Sequence, residues 1–172
     1  ENNTVHVTAA NGVGIRVQGT NGGAALANNI VYVDAPNGYA LSVAADTQSR
    51  FLSNYNLLYA VGGSNVGLWQ NANRSTLAAW QNAAFTDLNS VSQGPLFVDV
   101  DGADNTLGYV NGVTDGRDDD FHLESTFGSY HGGSYTTAVN GGTGVPEALL
   151  PSVMLDAGQS HAIDRGDPVT PF

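Results

Sequence analysis

Seven aspartates lie within one stretch of 22 residues and make up nearly half of the chain's 16 acids. Carboxylates at this density repel one another, and Ca²⁺ relieves the repulsion by taking about six to eight oxygen ligands. The stretch has the alternation of a calcium loop, although no Glu stands at its closing position. The alternative interpretation is a solvated loop rich in Asx turns. The candidate metal ligands are Asp99, Asp101, Asp104, Asn105, Asp115, Asp118, Asp119 and Asp120.

Aromatic residues supply a second candidate site, for carbohydrate. Trp69 is expected at the surface beside Arg16, where its ring could stack on a sugar or on a neighbouring chain. A column of Tyr32 and Tyr59 with His6 could form a platform for a sugar ring, but packing of another chain segment on these rings is the favoured alternative. The predicted ligand-binding residues are therefore Arg16, Trp69, Tyr32 and Tyr59.

Catalytic groups are sparse. A pectate-type lyase needs Ca²⁺ and an Arg or Lys as base; the chain has no Lys, and Arg16 is its only Arg on a predicted strand. A glycoside hydrolase needs two carboxylates about 5 to 9.5 Å apart, and the predicted strands of residues 1–70 carry no such pair. His131 is interpreted as part of a turn. These patterns predict no catalytic residue.

A repeat positions these side chains. Segments starting at Asn3, Asn29 and Asn56 align, with Asn-to-Asn spacings of 26 and then 27, and a second matching strand starts 11 residues after each Asn. The second strands alternate apolar and polar residues, which predicts one buried face, with Ile15, Leu41 and Leu68 stacked on one another.

This repeat, with Asn-Gly turns and no helical pattern between its strands, predicts an all-β fold, a right-handed parallel β-helix (solenoid). A β-sandwich is the alternative. The recurring Asn residues are expected to form a ladder of hydrogen-bonded amides. One short lid helix is predicted at 75–84, with Ser75 as N-cap and Trp80 in the core.

The chain is predicted to be a single β-helix domain over 1–172 and an excerpt of a larger protein, since it begins at Glu1 without Met or signal peptide. Regular coils are assigned to 1–70 and a helical excursion to 71–92. Strands and the acidic loop are assigned to 93–126, and C-terminal coils to 127–172.

Five short segments occur in an order known from a bacterial family: 54–59, 75–81, 95–99, 120–123 and 162–168. Through these segments the chain resembles right-handed β-helix repeat proteins of the choice-of-anchor Q domain type, within the pectate-lyase-like superfamily. The resemblance implies a β-helix from a large secreted or surface-displayed protein and implies little about activity.

Net charge and hydrophobicity limit the kinds of partner that the chain can bind. A net charge of −11 repels a phosphate backbone and excludes nucleic acid, and no apolar stretch is long enough for a membrane span. We therefore expect a non-catalytic extracellular or cell-surface module for structural display, adhesion, self-assembly or glycan contact. Its expected partners are glycans, flanking β-helix coils, or further copies stacked head to tail. The alternative is a fragment of a polysaccharide lyase or glycoside hydrolase.

Overall fold

The structure, a computed structural model, describes residues 1–19, 23–102, 104–110, 114–116, 118–131 and 152–169. The described part is mostly β with one α-helix, which confirms the all-β prediction; the predicted β-helix is a finer statement and stays a prediction. The strands are β1 (Thr4–Val7), β2 (Val13–Val17), β3 (Ala24–Ala27), β4 (Ile30–Asp34), β5 (Tyr39–Val43), β6 (Phe51–Asn54), β7 (Leu57–Val61), β8 (Asn65–Trp69), β9 (Ala72–Arg74), β10 (Phe97–Asp99), β11 (Tyr109–Val110), β12 (Thr114–Asp115), β13 (Asp120–Leu123), β14 (Ser129–His131) and β15 (Ser152–Met154). The helices are a 3-10 helix (Gln48–Arg50) and α1 (Leu77–Ala84).

The chain divides into two compact units. The first consists of Glu1–Pro95 and His161–Phe172, and the second of Leu96–Ser160. The single-domain prediction stays a prediction, and part of its C-terminal coils, residues 132–151, lies outside the described residues.

Three small sheets of the first unit are built from parallel neighbours. Their strand orders are β1-β4-β7, β2-β5-β8 and β3-β6. Each strand pairs with one that lies 26 or 27 positions later, as in Thr4 with Ile30 and Ile30 with Leu57. Strand β9 joins β8 antiparallel, so that sheet is mixed. The predicted register of the first strand is therefore confirmed.

The register of the second strand is confirmed in part. Ile15 pairs with Leu41 as predicted, but Leu41 pairs with Gly67, and the expected partner Leu68 lies opposite Ser42. The cause is turn length: four residues separate β4 from β5, whereas only three separate β7 from β8. The third strand is therefore shifted by one residue, which places Gly67 and Trp69, and not Leu68, on the face that Leu41 occupies in the neighbouring strand.

Apolar side chains from the parallel strands form the core of the first unit. Phe51, Trp69 and Trp80 meet at its base, where the two indoles contact edge to face with centroids 5.6 Å apart. Gly67 is needed here, because a Cβ at this position would lie within 2.4 Å of the Trp80 ring. The fully buried hydrophobic residues are Val31, Val33, Ala35, Ala40, Leu41, Leu58, Val66 and Trp80.

Helix α1 covers this core as predicted, but its cap differs. The N-cap is Thr76, whose hydroxyl accepts a hydrogen bond from the Ala79 amide at 3.1 Å, and not Ser75. The helix ends at Phe85, which adopts a left-handed conformation with φ 54°. Trp80 is buried on the inner face of the helix, which confirms its predicted place in the core.

The second unit contains short antiparallel pairs. The described pairs are β10 with β13, β11 with β12, and β14 with β15. Strands β10 and β13 lie where the sequence predicts strands. Their aromatic residues Phe97 and Phe121 contact edge to face, with centroids 5.3 Å apart.

Candidate functional site

The predicted Asn ladder is present in the first unit. Asn3 donates through Nδ2 to Asn29 Oδ1 at 2.9 Å, and Asn29 donates through Nδ2 to Asn56 Oδ1 at 2.8 Å. Asn29 is 1 % exposed and Asn56 2 %, so these amides hydrogen-bond out of contact with water. A buried amide is stable only when its polar atoms are paired, and the repeat spacing provides the partner.

The ladder ends at Asp87, a fully buried carboxylate that no pattern in the sequence predicted as part of a site. Its Oδ1 accepts hydrogen bonds from Asn56 Nδ2 at 3.0 Å, from Ser53 Oγ at 2.9 Å and from Ser90 Oγ at 2.6 Å. Its Oδ2 accepts from Trp80 Nε1 at 2.8 Å. Four neutral donors surround this carboxylate, so it joins the ladder, the lid helix and the following turn.

The aromatic column lies along β1, β4 and β7. The rings of His6 and Tyr32 stack with centroids 4.4 Å apart and planes 4° apart, and Tyr59 follows 5.4 Å from Tyr32. Both faces of the Tyr32 ring are therefore occupied by neighbours, which argues against the predicted stacking of a sugar on Tyr32. The Tyr32 hydroxyl donates to Asp34, and burial, followed by the Asp34 charge, raises the pKa of Tyr32 above 10.0.

Trp69 does not lie at the surface. Because the third strand is shifted by one residue, the indole points inward, is 5 % exposed and contacts Trp80. The prediction of an exposed Trp69 is therefore wrong, and the structure separates it from Arg16. The Arg16 side chain is exposed and lies in register with Ser42, whose next neighbour is Leu68.

The predicted calcium ligands lie in the second unit, where many of their carboxylates accept backbone N–H groups. Asp118 accepts from the Asp104 amide at 3.0 Å, and Asp119 accepts from the Gly108 amide at 2.8 Å. Asp104 itself accepts from the Thr106 amide at 2.8 Å. Only the Asp104 bond, to an amide two residues on, is an Asx turn of the kind that the alternative interpretation expects; the Asp118 and Asp119 bonds join positions 14 and 11 apart. Asp115 lies in β12, and Asn105 is exposed with φ 56°.

Two carboxylates of this loop meet across β10 and β13, where Asp99 and Asp120 are in register. Desolvation, followed by a hydrogen bond and repulsion from Asp101, raises the pKa of Asp99 above 3.8. The Oδ1 atoms of Asp118 and Asp119 are buried and have no donor within the part of the chain described. Among the described residues, no group of three or more His, Asp or Glu side chains has the geometry of a metal site.

A second enclosed carboxylate, Asp156, organises the pair β14 and β15, and its side chain is 7 % exposed. It accepts hydrogen bonds from the Ser125 amide at 2.6 Å, from the Ser129 hydroxyl and from His131 Nε2 at 2.6 Å. The Ser129 hydroxyl and then the Ser125 amide lower the pKa of Asp156 below 3.8. His131 is the last residue of β14, and the rest of the predicted turn, Gly132 and Gly133, lies outside the described residues.

This Ser, His and Asp set is not a nucleophilic triad, because its order is inverted. A triad places His between Ser and Asp so that the imidazole takes the hydroxyl proton. Here Asp156 lies in the middle, and the Ser129 hydroxyl donates to the carboxylate. A hydroxyl held in this way is not activated by a base, so the set stabilises the strand pair.

A His–Asp pair lies in the same unit, on β13. His122 Nδ1 lies 2.6 Å from Asp120 Oδ1, and the His122 ring contacts Tyr130 with centroids 4.6 Å apart. Asp120 is buried, whereas the His122 side chain is 57 % exposed. The pair orients an imidazole toward solvent, which is the arrangement of a general base.

A cavity of about 100 Å³ lies in the first unit, beside the turn between β3 and β4 that contains Asn28. We call this turn the corner at Asn28. Asn28 Oδ1 accepts a hydrogen bond from the Asp167 amide at 2.7 Å, which holds the segment of residues 161–169 against this corner. Among the described residues, Arg165 is the only charged one that lines the cavity. No pattern in the sequence indicates the contact, since Asn28 and Asp167 are 139 positions apart.

Comparisons of the chain with models of protein families, with curated proteins and with solved structures find no match. The resemblance to choice-of-anchor Q domain proteins therefore stays a prediction. No helix in the described residues is long and apolar enough to cross a membrane.

Proposed function

We propose that the first unit is a short right-handed parallel β-helix and that the chain is a non-catalytic extracellular module for structural display or adhesion. The observation that carries the proposal is the common repeat of the three parallel sheets, each of which pairs strands 26 or 27 positions apart. A chain that visits three sheets in turn and returns after one repeat winds as a coil. Parallel crossovers are almost always right-handed, which gives the hand.

The polar groups of both units support a non-catalytic role. Asp87 and Asp156 are saturated with donors from their own unit. The carboxylates of Asp104, Asp118 and Asp119 accept backbone amides of the loop that carries them. Groups that hold the fold in this way are not available to transfer protons to a substrate.

Coil order can be tested with cysteine pairs, because the chain has no Cys of its own. Adjacent parallel strands lie about 4.8 Å apart, within reach of a disulfide, whereas strands two apart lie beyond the limit of about 7 Å. We expect R16C/S42C to cross-link under mild oxidation and R16C/L68C not to. Cross-linking of both pairs or of neither, measured by mass spectrometry, would contradict the stacked coils.

Catalysis is tested with the purified chain on a panel of pectins, alginates and glucans, with and without Ca²⁺. The proposal expects no depolymerisation. Product release above that of a heat-denatured control would refute the non-catalytic role and support the polysaccharide lyase or hydrolase. H122A and Y130F would then show whether the exposed imidazole of β13 is responsible.

A Ca²⁺ ion bound by the acidic loop is a second part of the proposal. It is favoured by the buried Oδ1 atoms of Asp118 and Asp119, which have no donor in the described residues and would gain an electropositive partner. A cation that binds only the folded chain raises the unfolding midpoint. Thermal melts in millimolar Ca²⁺ and in EDTA should therefore differ, with D118N/D119N abolishing the difference. Equal unfolding midpoints in Ca²⁺ and in EDTA would contradict Ca²⁺ binding by this loop.

A further inference from the structure

The Asn ladder has a direction. Asn3 donates through its backbone amide and Nδ2 to Asn29 Oδ1, at 3.2 and 2.9 Å. Asn29 repeats the pattern toward Asn56 Oδ1, at 2.9 and 2.8 Å. Both rungs donate toward Asp87, a carboxylate that only accepts. The ladder therefore has an acceptor that ends it on one side and an Asn on the other.

Asn3, the outer rung, makes the donor hydrogen bonds of this pattern but not the acceptor ones. Its Oδ1 receives no donor from the described residues, whereas the same atom of Asn29 receives two. The backbone hydrogen bonds run in the opposite direction, from each strand to the ladder Asn of the strand before it. The Ile30 amide donates to Asn3 O at 2.8 Å, and the Leu57 amide donates to Asn29 O at 2.8 Å. The Thr4 amide, which follows Asn3, is the equivalent donor at the outer rung.

The outer strand edges lie on the same side. In the described part of the chain β1 pairs only with β4, and β2 only with β5. We call these outer edges of β1 and β2, together with Asn3, the Glu1 edge. Edges of parallel strands that lack a neighbouring strand are templates for a further one.

Neighbouring segments cover parts of the opposite side of the stack. The Val91 amide donates to Asn56 O at 2.9 Å, and the Leu58 amide donates to Val91 O at 2.8 Å. Strand β9 covers the edge of β8, and α1 lies against β8 through Trp80. A second copy stacked head to tail would therefore meet an edge that is blocked at Leu57 and along β8, so we take the occupant of the Glu1 edge to be a coil other than a second copy arranged in that way.

We propose that the Glu1 edge binds a parallel coil of one repeat, 26 or 27 positions long, with an Asn in register with Asn3. That Asn donates its backbone amide and Nδ2 to Asn3 Oδ1, and its carbonyl accepts from the Thr4 amide. The occupant is thus recognised by ladder chemistry in addition to strand pairing. This inference rests on the coiled arrangement proposed above.

The test adds such a coil to the chain in place of Glu1 and Asn2. A copy of residues 29–55, one full repeat, is fused directly before Asn3, so that the copied Asn29 occupies the outer rung. The matched control is the same fusion with Asn→Ala at the copied Asn29. Hydrogen exchange of the Thr4 amide is the readout, because a docked coil supplies an acceptor that the described residues do not.

In the fusion we expect the Thr4 amide to exchange at least about tenfold more slowly than in the parent chain, since tenfold corresponds to about 1.4 kcal/mol, roughly one net hydrogen bond. The Ala control should lose most of that protection. Equal protection in fusion and control would overturn the role of the Asn, and unchanged exchange at Thr4 would overturn the docking of a coil.

Two further readouts separate this inference from the proposed function. Protection of the Ile30 and Leu57 amides, which donate to Asn3 O and Asn29 O, reports the coil stack itself in the parent chain. If those amides exchange freely, the proposed β-helix fails; if they are protected and the added coil is not, only the inference about the Glu1 edge fails. A dimer of the parent chain that the fused coil abolishes would show that a second copy occupies the edge, and would also overturn the inference.

Discussion

Replacement of Asp87 with Asn tests how the ladder ends. Asn has the shape of Asp and tolerates the left-handed backbone of this residue, φ 60°, so the change alters only the hydrogen bonds and the charge. Asn offers one acceptor oxygen and one NH₂ group where Asp offers two acceptors. With the oxygen in the Oδ1 place, the NH₂ group faces the Trp80 N–H, donor against donor. With the amide reversed, the three donors at Oδ1 lose their acceptor.

The first orientation is the less costly, and its loss can be estimated. One buried donor, the Trp80 N–H, is left unsatisfied at about 1–3 kcal/mol. The remaining bonds also lose their charge assistance, while the removal of a buried charge offsets part of the loss. We expect Asp87→Asn to lower the free energy of unfolding by about 2 kcal/mol, which is about 4–8 °C in midpoint for a chain of this size.

Thermal and urea unfolding, followed by circular dichroism, measure the change. Asp34→Asn is the matched control, since it removes the same charge from an exposed side chain and should stay within about 0.5 kcal/mol of the parent. Trp80→Phe should cost less when combined with Asp87→Asn than in the parent, because the donor conflict is gone. An Asp87→Asn variant as stable as the control would contradict the role of the Asp87 carboxylate as the acceptor that ends the ladder.

Two further outcomes concern packing and pH. Gly67→Ala should destabilise the chain by about 1–3 kcal/mol in urea unfolding, because its Cβ would overlap the Trp80 ring; Gly94→Ala, which meets nothing closer than 3.8 Å, should change stability little. Because the folded pKa of Asp156 is depressed below 3.8, its contribution is present above that pH and is lost as pH falls through the folded pKa. NMR titration of its carboxyl carbon should show this, with Ser129→Ala raising the pKa; an unshifted titration would contradict the hydrogen-bond set.

The sequence predicted the pairing of β1, β4 and β7 because a fixed period brings the same residue type to the same place in each strand. Asn3, Asn29 and Asn56 are visible as a repeat and are hydrogen-bonded as one. The prediction failed where the period changes. One residue fewer in the turn before β8 moved Trp69 from the predicted surface into the core.

The carboxylates were missed for a related reason. Asp87 comes 31 residues after Asn56, because the helix between them lengthens the connection, so a search at the repeat spacing does not find it. Asp156 and His131 lie 25 residues apart in a region with no repeat, where nothing in the sequence links a Ser, a His and an Asp of one strand pair. Their contact is decided by the antiparallel register of β14 and β15.

The hydrogen bond from the Asp167 amide to Asn28 has a consequence for the order of folding. The stacked strands and their lid lie within Glu1–Pro95 and can assemble early during synthesis, through pairings 26 or 27 positions apart. The contact with Asp167 joins positions 139 apart and therefore waits until residue 167 has been made. The corner at Asn28 is thus completed after the strands, so a ribosome-bound intermediate with formed strands and an uncovered corner is expected before that point.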